Sequence, residues 1–83
     1  AAALPLDPQE QRTIRVRHTA WGADRALTEA IEAARAELAE QGRVVVRASG
    51  TEPALRVMVE GRDGGTVLRL ADELAALAAE RLN

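Results

Sequence analysis

The chain has 83 residues, 47% of them apolar, with one aromatic (Trp21), no cysteine and a formal net charge of −2. That is enough for one domain with an aliphatic core, and it excludes intrinsic disorder, disulfides and thiolate metal sites; a reducing, cytoplasmic setting is the expectation. Nothing global draws such a chain to nucleic acid or anionic lipid, no run approaches the roughly 18 apolar residues of a membrane span, and the opening "AAAL" is too short for a signal core.

Residues 1–12, "AAALPLDPQEQR", carry Pro5 and Pro8 without a period and read as a linker or a domain edge. The domain proper is expected over 13–83. In "TIRVRHT", residues 13–19, Ile14 and Val16 alternate with Arg15 and Arg17, the pattern of a half-buried strand. "AWGA" turns the chain, and Asp24 is placed to cap a helix. Over 25–41, Leu27, Ile31, Ala34 and Leu38 form an apolar stripe, and Gly42 follows as a C′ residue. Strands are expected over 43–48 and 54–61, a turn at "RDGG" (62–65), and a second helix over 66–82 built on Val67, Leu70, Leu74, Leu77 and Ala78. The order β-α-β-β-α predicts an α+β two-layer sandwich: a mainly antiparallel sheet with two helices on one face.

The stretch "RASGTEPALR", residues 47–56, carries the chemistry. If Val44, Val46, Leu55, Val57 and Val59 face the helices, strand parity sends Arg47 and Arg56 to the opposite face, beside the Ser49–Pro53 loop. Arg15 and Arg17 fall on that face from strand one. Ser49 and Thr51 offer hydroxyls, and Gly50 permits a positive φ and a close approach of backbone to ligand. Successive N–H groups in such a turn form an anion nest, and two guanidinium forks match phosphate oxygens bidentately. Carboxylate and sulfate would satisfy the same donors. Glu52 would repel an anion, so it should turn away, toward an arginine or polar ligand groups. The competing reading is an ordinary hairpin loop with arginines on a solvated face.

Other candidates carry less. His18 has no visible partner and reads as an edge histidine. Trp21 reads as a core plug or domain contact, since a lone aromatic makes a poor single-strand platform. Glu29, Glu32, Glu37 and Glu40 lie mostly on the polar side of helix one as solvated charges. Ser49 has no adjacent base, and no His/Asp/Glu cluster has metal spacing.

"GRVVVRASGTEPALRVMVEG", residues 42–61, resembles the C-terminal (fourth) domain of the α-D-phosphohexomutases, most of all the bacterial phosphoglucosamine mutase pattern R-x-S-G-T-E-P-x-x-R-V-M-V-E-G. "PQEQRTIRV", residues 8–16, resembles that family's opening strand, with Glu10, Gln11 and Arg12 in place of apolar residues and Thr13 in place of Asn. This departure predicts a solvated start to the strand. The resemblance implies a TATA-binding-protein-like fold and a four-domain parent, an isomerase of amino-sugar and cell-wall precursor metabolism. Such an enzyme interconverts glucosamine 6-phosphate and glucosamine 1-phosphate through a bisphosphate. The same domain in a phosphomannomutase or phosphoglucomutase is the alternative.

The resemblance further implies that the phosphorylated serine and the Mg²⁺ site lie in other domains. Arg47, Ser49, Gly50, Thr51 and Arg56 would then bind substrate phosphate, with Glu52 in support and no catalytic or metal residue in this chain. The implied partners are the phosphosugar and three further domains, not nucleic acid or membrane, and residues 1–12 would sit at the hinge to those domains. A stand-alone nucleic-acid module using Arg15, Arg17, Arg47 and Arg56 is the remoter alternative, distinguished by a steep salt dependence.

Overall fold

The computed structural model describes residues 7–83. Three strands, β1 (Gln9–Arg15), β2 (Gly42–Ala48) and β3 (Ala54–Gly61), form one antiparallel sheet in the order β1-β3-β2. Two helices, α1 (Arg25–Leu38) and α2 (Gly64–Arg81), cover one face. α2 lies on β1 and β3, while α1 packs on β2 and on α2. Short 3₁₀ turns at Trp21–Ala23 and Ala39–Gln41 bracket α1. The α+β two-layer sandwich expected from the element order is the architecture observed.

The core is aliphatic and continuous. Leu27, Ile31, Ala34 and Leu38 of α1 meet Val44 and Val46 of β2, while Val67, Leu70, Leu74 and Ala78 of α2 close over Ile14, Leu55, Val57 and Val59. Leu55 and Val59 on the central strand are fully enclosed, and burial of side chains of this size contributes about 1.5–3 kcal/mol each. Trp21 is half-buried against the rim of this core. Among the described residues no polar side chain is buried.

Element boundaries differ from the sequence reading, most of all in β1 and at the end of α1 and the start of α2. β1 occupies 9–15 rather than 13–19, because β3 offers a partner along that whole length, from Gln9↔Glu60 to Arg15↔Ala54. Residues 9–12, read as linker, are therefore sheet; of the rest of that segment, Asp7 and Pro8 are exposed and precede the strand, and residues 1–6 lie outside the described residues. Beyond Arg15 the chain leaves the ladder. Val16 donates its N–H to Pro53 O and Arg17 to Leu82 O, each at 2.9 Å. The polar start of β1 is accommodated because Arg12, on the helix side, spans Glu10 and Asp72 of α2 at 2.8 and 3.0 Å.

α1 stops at Leu38, where Ala39 takes a φ of +52°, and Gly42 is not a C′ residue. Gly42 is extended, and a Cβ there would lie 2.2 Å from the Glu60 carbonyl oxygen, so strand approach is what requires glycine. α2 begins at Gly64, not 66, because the Asp63 carboxylate accepts from the Thr66 N–H at 3.0 Å and caps it. Asp24 caps α1 in the same way through the Leu27 N–H at 2.9 Å.

Candidate anion-binding site

The β2–β3 hairpin places Arg47 directly opposite Arg56, one residue pair before the loop. Both side chains are exposed on the sheet face away from the helices, since their neighbours Val46 and Val57 are buried against α1 and α2. Like charges directly opposite in a sheet repel. Arg12, Arg15, Arg25, Arg35, Arg43, Arg69 and Arg81 each lie within 4 Å of a carboxylate; Arg17, Arg47, Arg56 and Arg62 make no ion pair among the described residues, and of these only Arg47 and Arg56 stand opposite each other in the sheet.

The loop between them is held by short backbone bonds. Ser49 N–H reaches Ala54 O at 2.9 Å, and Ala54 N–H reaches Glu52 O at 2.8 Å, a three-residue turn centred on Pro53. Proline suits that centre because its ring presets φ. Thr51 N–H points at Ser49 Oγ over 3.5 Å, a long contact. The N–H groups of Gly50 and Glu52 have no protein acceptor among the described residues.

Gly50 departs from expectation. Its φ is not positive, so no left-handed turn requires it. A Cβ there would meet nothing within 4 Å. Neither backbone conformation nor packing accounts for the glycine, which leaves the loop backbone open to close approach from outside.

The structure brings Arg15 to this loop but not Arg17. Arg15, last in β1, places Nη2 3.8 Å from Glu52 Oε2, so Glu52 turns toward an arginine. Arg17 lies past the strand end, its N–H spent on Leu82. His18 is exposed and only accepts the Ala20 N–H at Nδ1, 3.3 Å away. Glu29, Glu32 and Glu37 are exposed and pair with Arg25, Arg35 and Arg69; Glu40 is also exposed. No metal-holding cluster of three or more His, Cys, Asp or Glu occurs among the described residues.

Two features escape sequence reading. Thr13 pairs with Arg56 and so joins the Thr13–Arg56–Arg47 row across the open face. Next to it run Gln11, Met58 and Val45, and together these rows line an open groove of about 460 Å³. Thr13 shares the parity of Arg15, whereas Gln11 joins the open face only once the strand is started at Gln9.

The profile of the phosphoglucomutase/phosphomannomutase C-terminal domain matches residues 11–77. The chain belongs to this family. Among curated relatives, the phosphoglucosamine mutase of Synechococcus sp. (strain CC9605) is 49% identical over 80 residues, covering 92% of this chain and 17% of that protein. That of Clavibacter michiganensis subsp. michiganensis is 47% identical over 83 residues, covering 99% of this chain and 19% of the relative. The chain thus spans less than a fifth of the length of these relatives.

Solved structures agree on the fold. Aspergillus fumigatus N-acetylphosphoglucosamine mutase, as a serine-to-alanine variant in complex with glucose 1,6-bisphosphate, superposes with a TM-score of 0.78 over 93% of this chain and 16% of that one, at 22% identity. The same enzyme with GlcNAc-6P and magnesium gives 0.77 at 22% identity, again over 93% of this chain and 16% of that one. In each of these proteins the matching domain is a small part of a larger chain.

Proposed function

We propose that this chain is the phosphate-clamping domain of a phosphosugar mutase, specifically a phosphoglucosamine mutase interconverting glucosamine 6-phosphate and glucosamine 1-phosphate. One observation carries the reading: Arg47 and Arg56 stand opposite each other without a carboxylate partner, beside a loop with uncommitted donors. An anion between the guanidinium groups turns their repulsion into two charge-assisted contacts. The relatives at 47–49% identity make the amino sugar the favoured substrate, and the matched family leaves phosphomannomutase or phosphoglucomutase chemistry as the alternative.

The proposed division of labour follows from the residues present. Arg47 and Arg56 neutralise phosphate charge, and Ser49, Thr51 and the Gly50 N–H orient its oxygens. Gly50 leaves room for approach, while Glu52 stays outside the pocket. None of these donors distinguishes one sugar phosphate from another, which suits a clamp gripping the non-transferred phosphate, the 1- and 6-positions in alternation. Positioning and charge neutralisation are what phosphoryl transfer asks of a protein. Magnesium, present with a related enzyme, would supply further charge neutralisation in the parent; no cluster that fits it occurs among the described residues, and the proposal places its ligands in another domain. The phosphorylated serine is assigned to the remaining domains as well, and a cytoplasmic setting goes with the metabolic role. Residues 1–12 would serve as the hinge to those domains, with 9–12 anchored in the sheet.

Titrating the isotope-labelled chain with inorganic phosphate and with glucosamine 6-phosphate tests this. Amide shifts should concentrate in residues 47–56, with affinity in the millimolar range, roughly −4 kcal/mol, because only part of the substrate's partners are present. Shifts confined to the helices would overturn it. Binding that requires a nucleic acid and collapses steeply with salt would reassign the face.

A further inference from the structure

We infer that Arg15 is a positioning residue for the anion site, acting through Glu52: it holds the one acidic side chain of the loop away from the bound phosphate. The inference rests on the phosphate reading of the loop and extends it to a residue outside the hairpin.

Glu52 is the only carboxylate within the Ser49–Pro53 loop. Its backbone is fixed, since its carbonyl accepts the Ala54 N–H at 2.8 Å and Pro53 follows it. What stays free is the side chain, whose torsions decide whether a negative charge sits over the donors or beside them. A carboxylate near a bound anion disfavours it, and an opposite charge at short range sets the carboxylate's preferred position. Arg15 supplies that charge, with Nη2 3.8 Å from Glu52 Oε2.

Arg15 can do this because its own backbone is tied to the loop and to the far helix end. It pairs with Ala54 in the β1–β3 ladder. The next residue, Val16, donates to Pro53 O at 2.9 Å, and Arg15 O accepts from Asn83 Nδ2 at 3.2 Å. Backbone hydrogen bonds therefore tie the end of β1 to the loop. The Arg15 side chain remains 85% exposed, so no packing role competes with the electrostatic one.

The test is a double-mutant cycle read by inorganic phosphate titration of the 83-residue chain, followed by amide shifts. Arg15→Ala should raise the dissociation constant about two- to fivefold, the range expected for an exposed ion pair. Glu52→Gln alone should leave it unchanged or tighten it slightly. The combination of both changes should return to the wild-type value, since a neutral amide no longer repels the anion. Arg15→Lys, which keeps the charge, should retain most of the affinity. Amide positions outside residues 13–17 and 47–56 should stay in place throughout, which separates the effect from misfolding.

A loss in Arg15→Ala that Glu52→Gln fails to rescue overturns the inference, because Arg15 would then contact the anion itself. No loss in Arg15→Ala overturns it too. Absence of phosphate binding by the wild-type chain overturns the site reading, and this inference with it.

Discussion

Arg47 and Arg56 face each other across two strands without a compensating carboxylate, and the fold by itself bears the repulsion. Replacing one should therefore cost little stability and much binding. Arg47→Ala should weaken phosphate or glucosamine 6-phosphate binding by about 1.5–3 kcal/mol, the worth of a charge-assisted hydrogen bond, while urea unfolding stays unchanged or shifts slightly upward. Arg47→Lys should recover only part of the loss, because a point charge cannot make a planar two-point contact. Gly50 permits a cleaner separation. A Cβ there meets nothing, and its φ lies outside the left-handed region, so Gly50→Ala should change stability by less than about 0.5 kcal/mol. If the loop backbone is what a phosphate approaches, the same change should measurably weaken the titration.

Between elements, the tightest constraint is where β2 and β3 meet at Gly42 and Gly61. A Cβ on Gly42 would collide with a carbonyl oxygen of the paired strand, and backbone cannot swing aside as a side chain does. Gly42→Ala should destabilise by about 1–3 kcal/mol in urea, the range of overpacking. The helix starts set the response to acid. The Asp24 carboxyl is held below its ordinary value of 3.8 by the Leu27 N–H first, with Arg81 adding to it, against an opposing effect of burial. The Asp63 carboxyl is held below 3.8 by the Thr66 hydroxyl and N–H. A carboxyl lowered in the folded state stabilises the fold above its unfolded value, and that contribution is lost as pH falls through the folded one. Thermal stability should thus decline below about pH 4. The paired changes Asp24→Asn and Asp63→Asn keep a capping oxygen and should flatten that decline.

At the scale of the molecule, one aliphatic core under two helices gives a unit that should unfold in a single cooperative step. The 83-residue chain, less than a fifth of its curated relatives' length, is expected to show no interconversion of glucosamine phosphates, even with magnesium and a bisphosphate activator. Turnover by the pure chain would place a nucleophile within it and contradict the assignment of chemistry to other domains.

Both helices, the β2–β3 hairpin and the α+β class were legible from the residues alone, because helical stripes and strand alternation are local consequences of burying one face. The convergence of Arg47 and Arg56 was legible for the same reason: parity and a five-residue loop place them. The start of β1 was not, since "QEQR" has no apolar alternation and joins the sheet only because β3 lies alongside. Gly64 and Gly65 are poor helix formers, and the Asp63 cap together with α2's packing overrides that propensity. Gly42 looked like a helix stop until the paired strand showed what it clears. The Arg15–Glu52 pair joins residues 37 positions apart; the sequence by itself determined that both charges exist, and only the pairing of β1 with β3 decided that they meet, because long-range register comes from strand–strand hydrogen bonds and a shared buried face rather than from local spacing.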